Sequence, residues 1–181
     1  MRTYVHKKGN YAKMKLNYFR LRCVMQALTI IKSLFAYNAD FDQRIWGSIE
    51  GLSDEQFCAD YPYSQGSLRN HLVHIASVER AWLTGLQTGE RPKHLDPLEY
   101  PTIASVRDVF NQMRGQVTSY IEQLSDEQLD DVLPGMNLAR WQVLVQIANH
   151  ATDHRAQILR ILHDYGQKTF DQDIVLHFWG R

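Results

Sequence analysis

The sequence predicts an all-α fold, a four-helix bundle preceded by a basic extension. Three observations carry this. Four segments repeat apolar residues at three- and four-residue spacing, no stretch of useful length alternates with period two, and Gly or Pro residues punctuate the joins. With 181 residues, 44% hydrophobic and 22% charged, the chain suits one compact domain with a full core. The expected division is an extension over 1–24 and a bundle domain over 25–181.

In the first helix, Leu28, Ile31, Leu34, Phe35, Phe41, Ile45 and Ile49 paint one apolar face over roughly 24 residues, and Gly51 ends it. The second runs from about Ser67 to Leu86 with Leu68, Leu72, Ile75, Val78, Glu79 and Trp82 on and around its inward side. Ser67 offers an N-cap oxygen, and Gly89 and Pro92 close the helix. The third, from about Thr102 to Leu124, starts directly after Pro101 and carries Val106, Phe110, Met113, Val117 and Ile121 at helical spacing. The fourth, from about Asn137 to Tyr165, presents Trp141, Leu144, Ile147, Ile158 and Leu162, and Gly166 sits where a left-handed residue is expected. The tail Ile174 to Trp179 reads as a short extended piece or a helical turn.

Four amphipathic helices of similar length need one shared core, which a four-helix bundle provides. The link over residues 87–101 contains Pro92, Pro97 and Pro101, so it is extended and long enough to run the length of a bundle. The second and third helices are therefore expected to be parallel. Leu52-Ser53-Asp54-Glu55-Gln56-Phe57 echoes Leu124-Ser125-Asp126-Glu127-Gln128-Leu129, and both copies carry the Ser-to-Gln spacing of a capping box.

Lys plus Arg is 20 and Asp plus Glu is 20, a balance that favours neither nucleic acid nor an anionic membrane as partner. Residues 1–24 nevertheless hold Arg2, Lys7, Lys8, Lys13, Lys15, Arg20 and Arg22 without an acid. That leaves thirteen basic against twenty acidic residues, a net −7, in the remainder. The apolar stretch Val24 to Phe35 is broken by Gln26, Thr29, Lys32 and Ser33, too short and polar to span a bilayer, and no secretory cleavage site is apparent. Cys23 and Cys58 support neither a disulfide framework nor a Cys-based metal motif. The expectation is a soluble cytoplasmic protein.

His150 and His154 are separated by one helical turn, so their rings project from one face, flanked by Val143, Ile147, Ile158 and Ile161. Two imidazoles on an apolar stripe need partners for their nitrogens. A metal ion is one answer; bonds to backbone or hydroxyl groups in the core are the other. His74 shares a face with Val78, Ala81 and Gly85, small residues that let a partner helix come close, and is the preferred third ligand. His71, one turn earlier, could be an alternative ligand, a group supporting a ligand from behind, or a surface residue. Zinc or nickel comes first for such a set, with iron or manganese also accepting imidazole. Asp153 reads as solvated or as supporting a ligand from behind, and Glu79 and Arg155 as structural or in that same supporting place, Glu79 pairing a buried polar group and Arg155 an acid. Cys58 reads as an ordinary thiol. His6, His94 and His177 carry no assigned role, and the four Trp residues belong by spacing to the core more than to a pocket.

On these residues the chain resembles the DinB family, in the DinB/YfiT-like superfamily, over about residues 28 to 165 and the Asp173-Ile174 tail. The resemblance is carried by Leu34-Phe35-Ala36-Tyr37-Asn38 with Arg44, by Leu72-Val73-His74-Ile75 with Glu79 and Trp82-Leu83, and by Asn149-His150-Ala151-Thr152-Asp153-His154-Arg155-Ala156-Gln157. Members usually show His, three residues, then His-Arg-Gly-Gln; here Ala156 stands for the Gly, a small-for-small change that leaves the metal assignment untouched. The resemblance implies an up-down-down-up bundle, a metal bound by His74, His150 and His154, and pairing as a homodimer. Relatives include thiol-dependent S-transferases and a thiol-dependent isomerase, so the implied chemistry is a class and not a single reaction.

Two functions follow. One is a metal-dependent enzyme, a thiol-dependent S-transferase or a hydrolase, acting on a small-molecule substrate with a low-molecular-weight thiol as cosubstrate. The other is a non-catalytic, stress-associated metal-binding protein whose ion braces the bundle. Three His ligands beside an open cleft favour the first, and a fourth protein ligand closing the shell favours the second.

Overall fold

The computed structural model describes residues 8–133 and 135–180, with side chains from residue 27 onward. Its helices are α1 (Lys8–Ile49), α2 (Asp54–Cys58), α3 (Leu68–Thr88), α4 (Ile103–Glu122), α5 (Arg140–Asp164) and α6 (Ile174–Phe178), with 3-10 turns at Pro97–Glu99 and Asp126–Asp130. Among the described residues there is no strand, and Val132 and Ala139 form an isolated antiparallel bridge. No described helix is long and apolar enough to cross a membrane.

Helix order follows from which ends share a core. One apolar layer combines Ile45 and Ile49 of α1, Leu68 and Leu72 of α3, Val106 and Phe110 of α4, and Ile158 and Leu162 of α5. The other combines Ile31 and Phe35, Leu83 and Leu86, Val117 and Ile121, and Val143 and Leu144. The end of α1 thus lies beside the starts of α3 and α4 and the end of α5, which is the up-down-down-up arrangement. The Pro-rich link makes the required return. Leu95, Tyr100 and Ile103 pack on the first layer, Ser77 Oγ accepts the Leu95 N–H at 3.0 Å, and the Arg80 guanidinium donates to the Lys93 carbonyl.

Local signals set most boundaries. Ser67 accepts from the Asn70 N–H, Thr102 caps α4 through the Ser105 N–H, and Gly89 and Gly166 adopt φ of +78° and +70°. The tail resolves as the helical turn α6. Helix α1 begins about twenty residues before its apolar stripe. Residues 10–27 contain neither Pro nor Gly, and backbone propensity alone lets a helix continue there. The basic side chains of residues 1–24, and with them the expected extension, lie outside the described side chains. Helix α5 starts three residues later than expected, because Gly135 and Asn137 turn the chain with φ of +82° and +53°.

The Ser-Gln echo is structural. Ser53 and Gln56 complete both arms of a capping box, whereas the second copy has the Ser125 N–H donating to Gln128 Oε1 at 2.8 Å. Each copy buries its last residue, Phe57 in one apolar layer and Leu129 in the other.

Midway along the helices lies a polar layer. Arg155, 1% exposed, donates to Asp42 Oδ1 at 3.2 Å, to Asn38 Oδ1 at 2.7 Å and to Thr152 Oγ1 at 2.9 Å. Arg114 pairs with Asp42 at 2.8 Å and with Glu79 at 2.5 Å. All four long helices are joined through these groups.

Candidate metal centre

The antiparallel run of α3 against α5 brings His74 to the one-turn pair His150 and His154. Their candidate ligand atoms all lie within 4.8 Å of one another. Nε2 of His74 and Nε2 of His150 are 3.2 Å apart, and the His154 ring centroid is 4.6 Å from that of His74 and 4.5 Å from that of His150. Imidazole nitrogens on one ion at about 2.0–2.1 Å, with right-angled to tetrahedral geometry, stand about 2.8–3.4 Å apart. The observed separation fits a shared ion.

The electrostatics fit as well. Burial, then the charge of His154, pushes His74 down to about 4, and the same two causes push His150 down to about 4. Burial also lowers His154, opposed by Asp153. Neutral rings keep the lone pairs that a metal needs.

His71 is not on the surface. It is fully buried, with Nδ1 3.3 Å from Nδ1 of His154. Its ring centroid lies 5.5 Å from that of His154, farther than His74 or His150, and it does not join the three-ring group. Burial pushes it down to about 4.

The residues read as structural behave so. Glu79 pairs Arg114 and Arg155 pairs Asp42. Asp153 is exposed and accepts from Gln157 at 3.1 Å. Cys58 contacts the Pro101 carbonyl. The small residue Gly85 admits not a helix but Met136: a Cβ at Gly85 would meet Met136 Cε at 2.8 Å. Of the Trp residues, Trp46 is core and Trp82 packs partly buried on the second layer, but Trp141 and Trp179 are exposed.

Sequence reasoning missed two neighbours of the site. His94, on the link, lies 2.9 Å from Ser77 Oγ, and its charge adds to the lowering of His74. Only the course of the link along α3 places it there. Arg114, whose charge acts on His150, was legible as a basic residue on the apolar stripe of Phe110, Met113 and Val117.

A cleft of about 450 Å³, lined by residues of α1, α5 and the tail including Leu34, Tyr37, Asn149, Thr152 and Ile174, opens elsewhere. At about 100° per residue, Ala148 and Thr152 lie roughly 160° round α5 from His150, so this cleft is on the far side from the imidazoles and is not the open cleft expected beside them.

The family model described as DinB family matches residues 25–180. No curated protein gives a significant match.

Proposed function

Since the chain belongs to the DinB family, we propose that it is a metal-dependent enzyme in which His74, His150 and His154 hold one divalent ion beside a reacting small molecule. The reactions proposed are thiol-dependent S-transfer, with a low-molecular-weight thiol as cosubstrate, and hydrolysis. Zinc or nickel suits the three imidazoles, and iron or manganese is also accommodated.

The observation that carries this reading is the size of the donor set. Three imidazoles converge and the next nearest, His71, is turned to His154. Three protein ligands are the pattern of catalytic sites, four that of structural ones. When bound, the ion supplies Lewis acidity, which lowers the pKa of a thiol or of water near neutrality. The chain supplies the approach. His74 and His150 are half-buried while His71 and His154 are buried, so a substrate enters on the His74 and His150 side, the side on which His94 is anchored to Ser77. Arg114, held by Asp42 and Glu79, adds its charge to the lowering of His150.

Metal analysis of protein purified without a nickel column tests the reading, followed by a thiol and electrophile activity screen. One ion per chain is expected, lost in His74→Ala, His150→Ala and His154→Ala, with thiol consumption or hydrolysis that chelation abolishes and added ion restores. Ion retention in those variants, or an ion-loaded protein inert in the screen and spectrally silent to added thiol, would overturn it.

A further inference from the structure

The reading of His74, His150 and His154 as ligands raises the question of what fixes the His154 ring. Its Nδ1 is 3.3 Å from Nδ1 of His71, which leaves Nε2 for an ion. A neutral imidazole whose Nε2 lone pair is free carries its proton on Nδ1. That proton points at His71 Nδ1, which must then be bare. The reverse arrangement, with the proton on His71 Nδ1, would put the His154 proton on Nε2 and block the lone pair.

We propose that His71 is a positioning residue: by accepting the His154 Nδ1 proton, it fixes His154 in the tautomer and orientation that present Nε2 to the ion. The inference rests on the three-His metal reading. Two further observations support it. His71 is fully buried and His154 is 6% exposed, so solvent does not compete for the contact. With its Nδ1 accepting, His71 carries its own proton on Nε2, and that nitrogen is buried without a hydrogen-bond partner among the described residues.

A buried donor left unpaired is unfavourable. A Leu of similar bulk would fill the space without that penalty, so packing alone does not account for an imidazole at this position. Ligand histidines are commonly held from behind by a carboxylate or a carbonyl. A neutral ring in that place adds no negative charge beside the ion and leaves its Lewis acidity undiminished.

The test is cobalt(II) affinity of the full chain, wild type against His71→Leu and His71→Asn, with circular dichroism as a fold control. His71→Leu should bind cobalt roughly 10- to 100-fold more weakly. His71→Asn, whose Oδ1 falls near the lost Nδ1, should recover most of the affinity. In zinc-loaded, 15N-labelled wild type, the His154 proton should sit on Nδ1 and show a coupling across the hydrogen bond to His71 Nδ1. Wild-type affinity in His71→Leu, or a zinc-loaded His154 with Nδ1 unprotonated, overturns the role of His71 while the metal reading stands. Absence of cobalt and zinc binding by the wild type overturns both. If His71→Leu does not fold, the wild-type spectrum decides alone.

Discussion

Arg155 on α5 reaches Asp42 on α1, Nη1 to Oδ1 at 3.2 Å, with both side chains almost wholly withdrawn from water. The same Asp42 accepts Arg114 of α4, and Arg114 in turn holds Glu79 of α3. Each long helix therefore contributes one member to a charge network that excludes solvent.

Removing one partner leaves the other charge buried and uncompensated. Arg155→Met is expected to destabilise the protein by about 3–5 kcal/mol. Adding Asp42→Asn should return part of that loss, since the stranded carboxylate is gone. Urea unfolding of the two single variants and the double variant checks this. Additive losses would show that the two side chains do not act as a pair.

Glu79 gives the network a pH dependence. Burial pushes its carboxyl up from 4.5 to about 7, against the pull of Arg114 and with Asp42 adding to the rise. A raised folded-state pKa means that the native protein holds a proton which the unfolded chain has released. The resulting stabilisation is full below about pH 4.5 and is lost as pH rises through about 7. Glu79→Gln mimics the protonated form, so its thermal midpoint should vary less between pH 5 and 8 than that of the wild type. Parallel profiles for the two proteins would contradict this.

Zinc should stabilise the fold by mass action. At a free concentration one hundred times the dissociation constant, binding to the native state alone adds about 2.7 kcal/mol. The rise in thermal midpoint should vanish in His150→Ala, which removes one of the three converging rings. An undiminished rise in that variant would mean that the ion binds elsewhere.

Deleting residues 1–24 should leave the bundle intact. The family match begins at residue 25, and among the residues with described side chains the apolar layers enlist Ile31 and Phe35 of α1, with Ala27 and Leu28 packed at their edge. Unfolding free energy within roughly 0.5 kcal/mol of the full chain, the range of substitutions remote from packing, and unchanged zinc content are expected. Loss of folding would make the basic segment integral to the domain.

Helix order was legible because Pro92, Pro97 and Pro101 demand an extended link, and such a link spans a bundle. The convergence of three imidazoles was legible from a spacing: His150 and His154 one turn apart define a direction, and His74 on another helix meets it. The contact of His71 with His154 was not, because periodicity places a residue on a helix face but does not say which ring nitrogen meets which neighbour. His94 was hidden for a different reason, since residues in an extended link have no periodicity to locate them. Asp42 and Arg114 each left a trace as a charge of opposite sign on an apolar stripe. Pairing them required the bundle's lateral order, which sequence spacing within one helix does not contain.

The pairing of α3 with α5 also bears on assembly. His74 and His150 are 76 positions apart in the chain, with their Nε2 atoms 3.2 Å from each other. Closing so long a loop carries an entropic cost before any contact repays it. An ion at this place therefore cannot organise the early, local steps of folding as zinc does in a finger of a few dozen residues. Its occupancy becomes available only when the fourth long helix has docked against the second. An ion bound there would thus mark chains in which α3 and α5 have already docked.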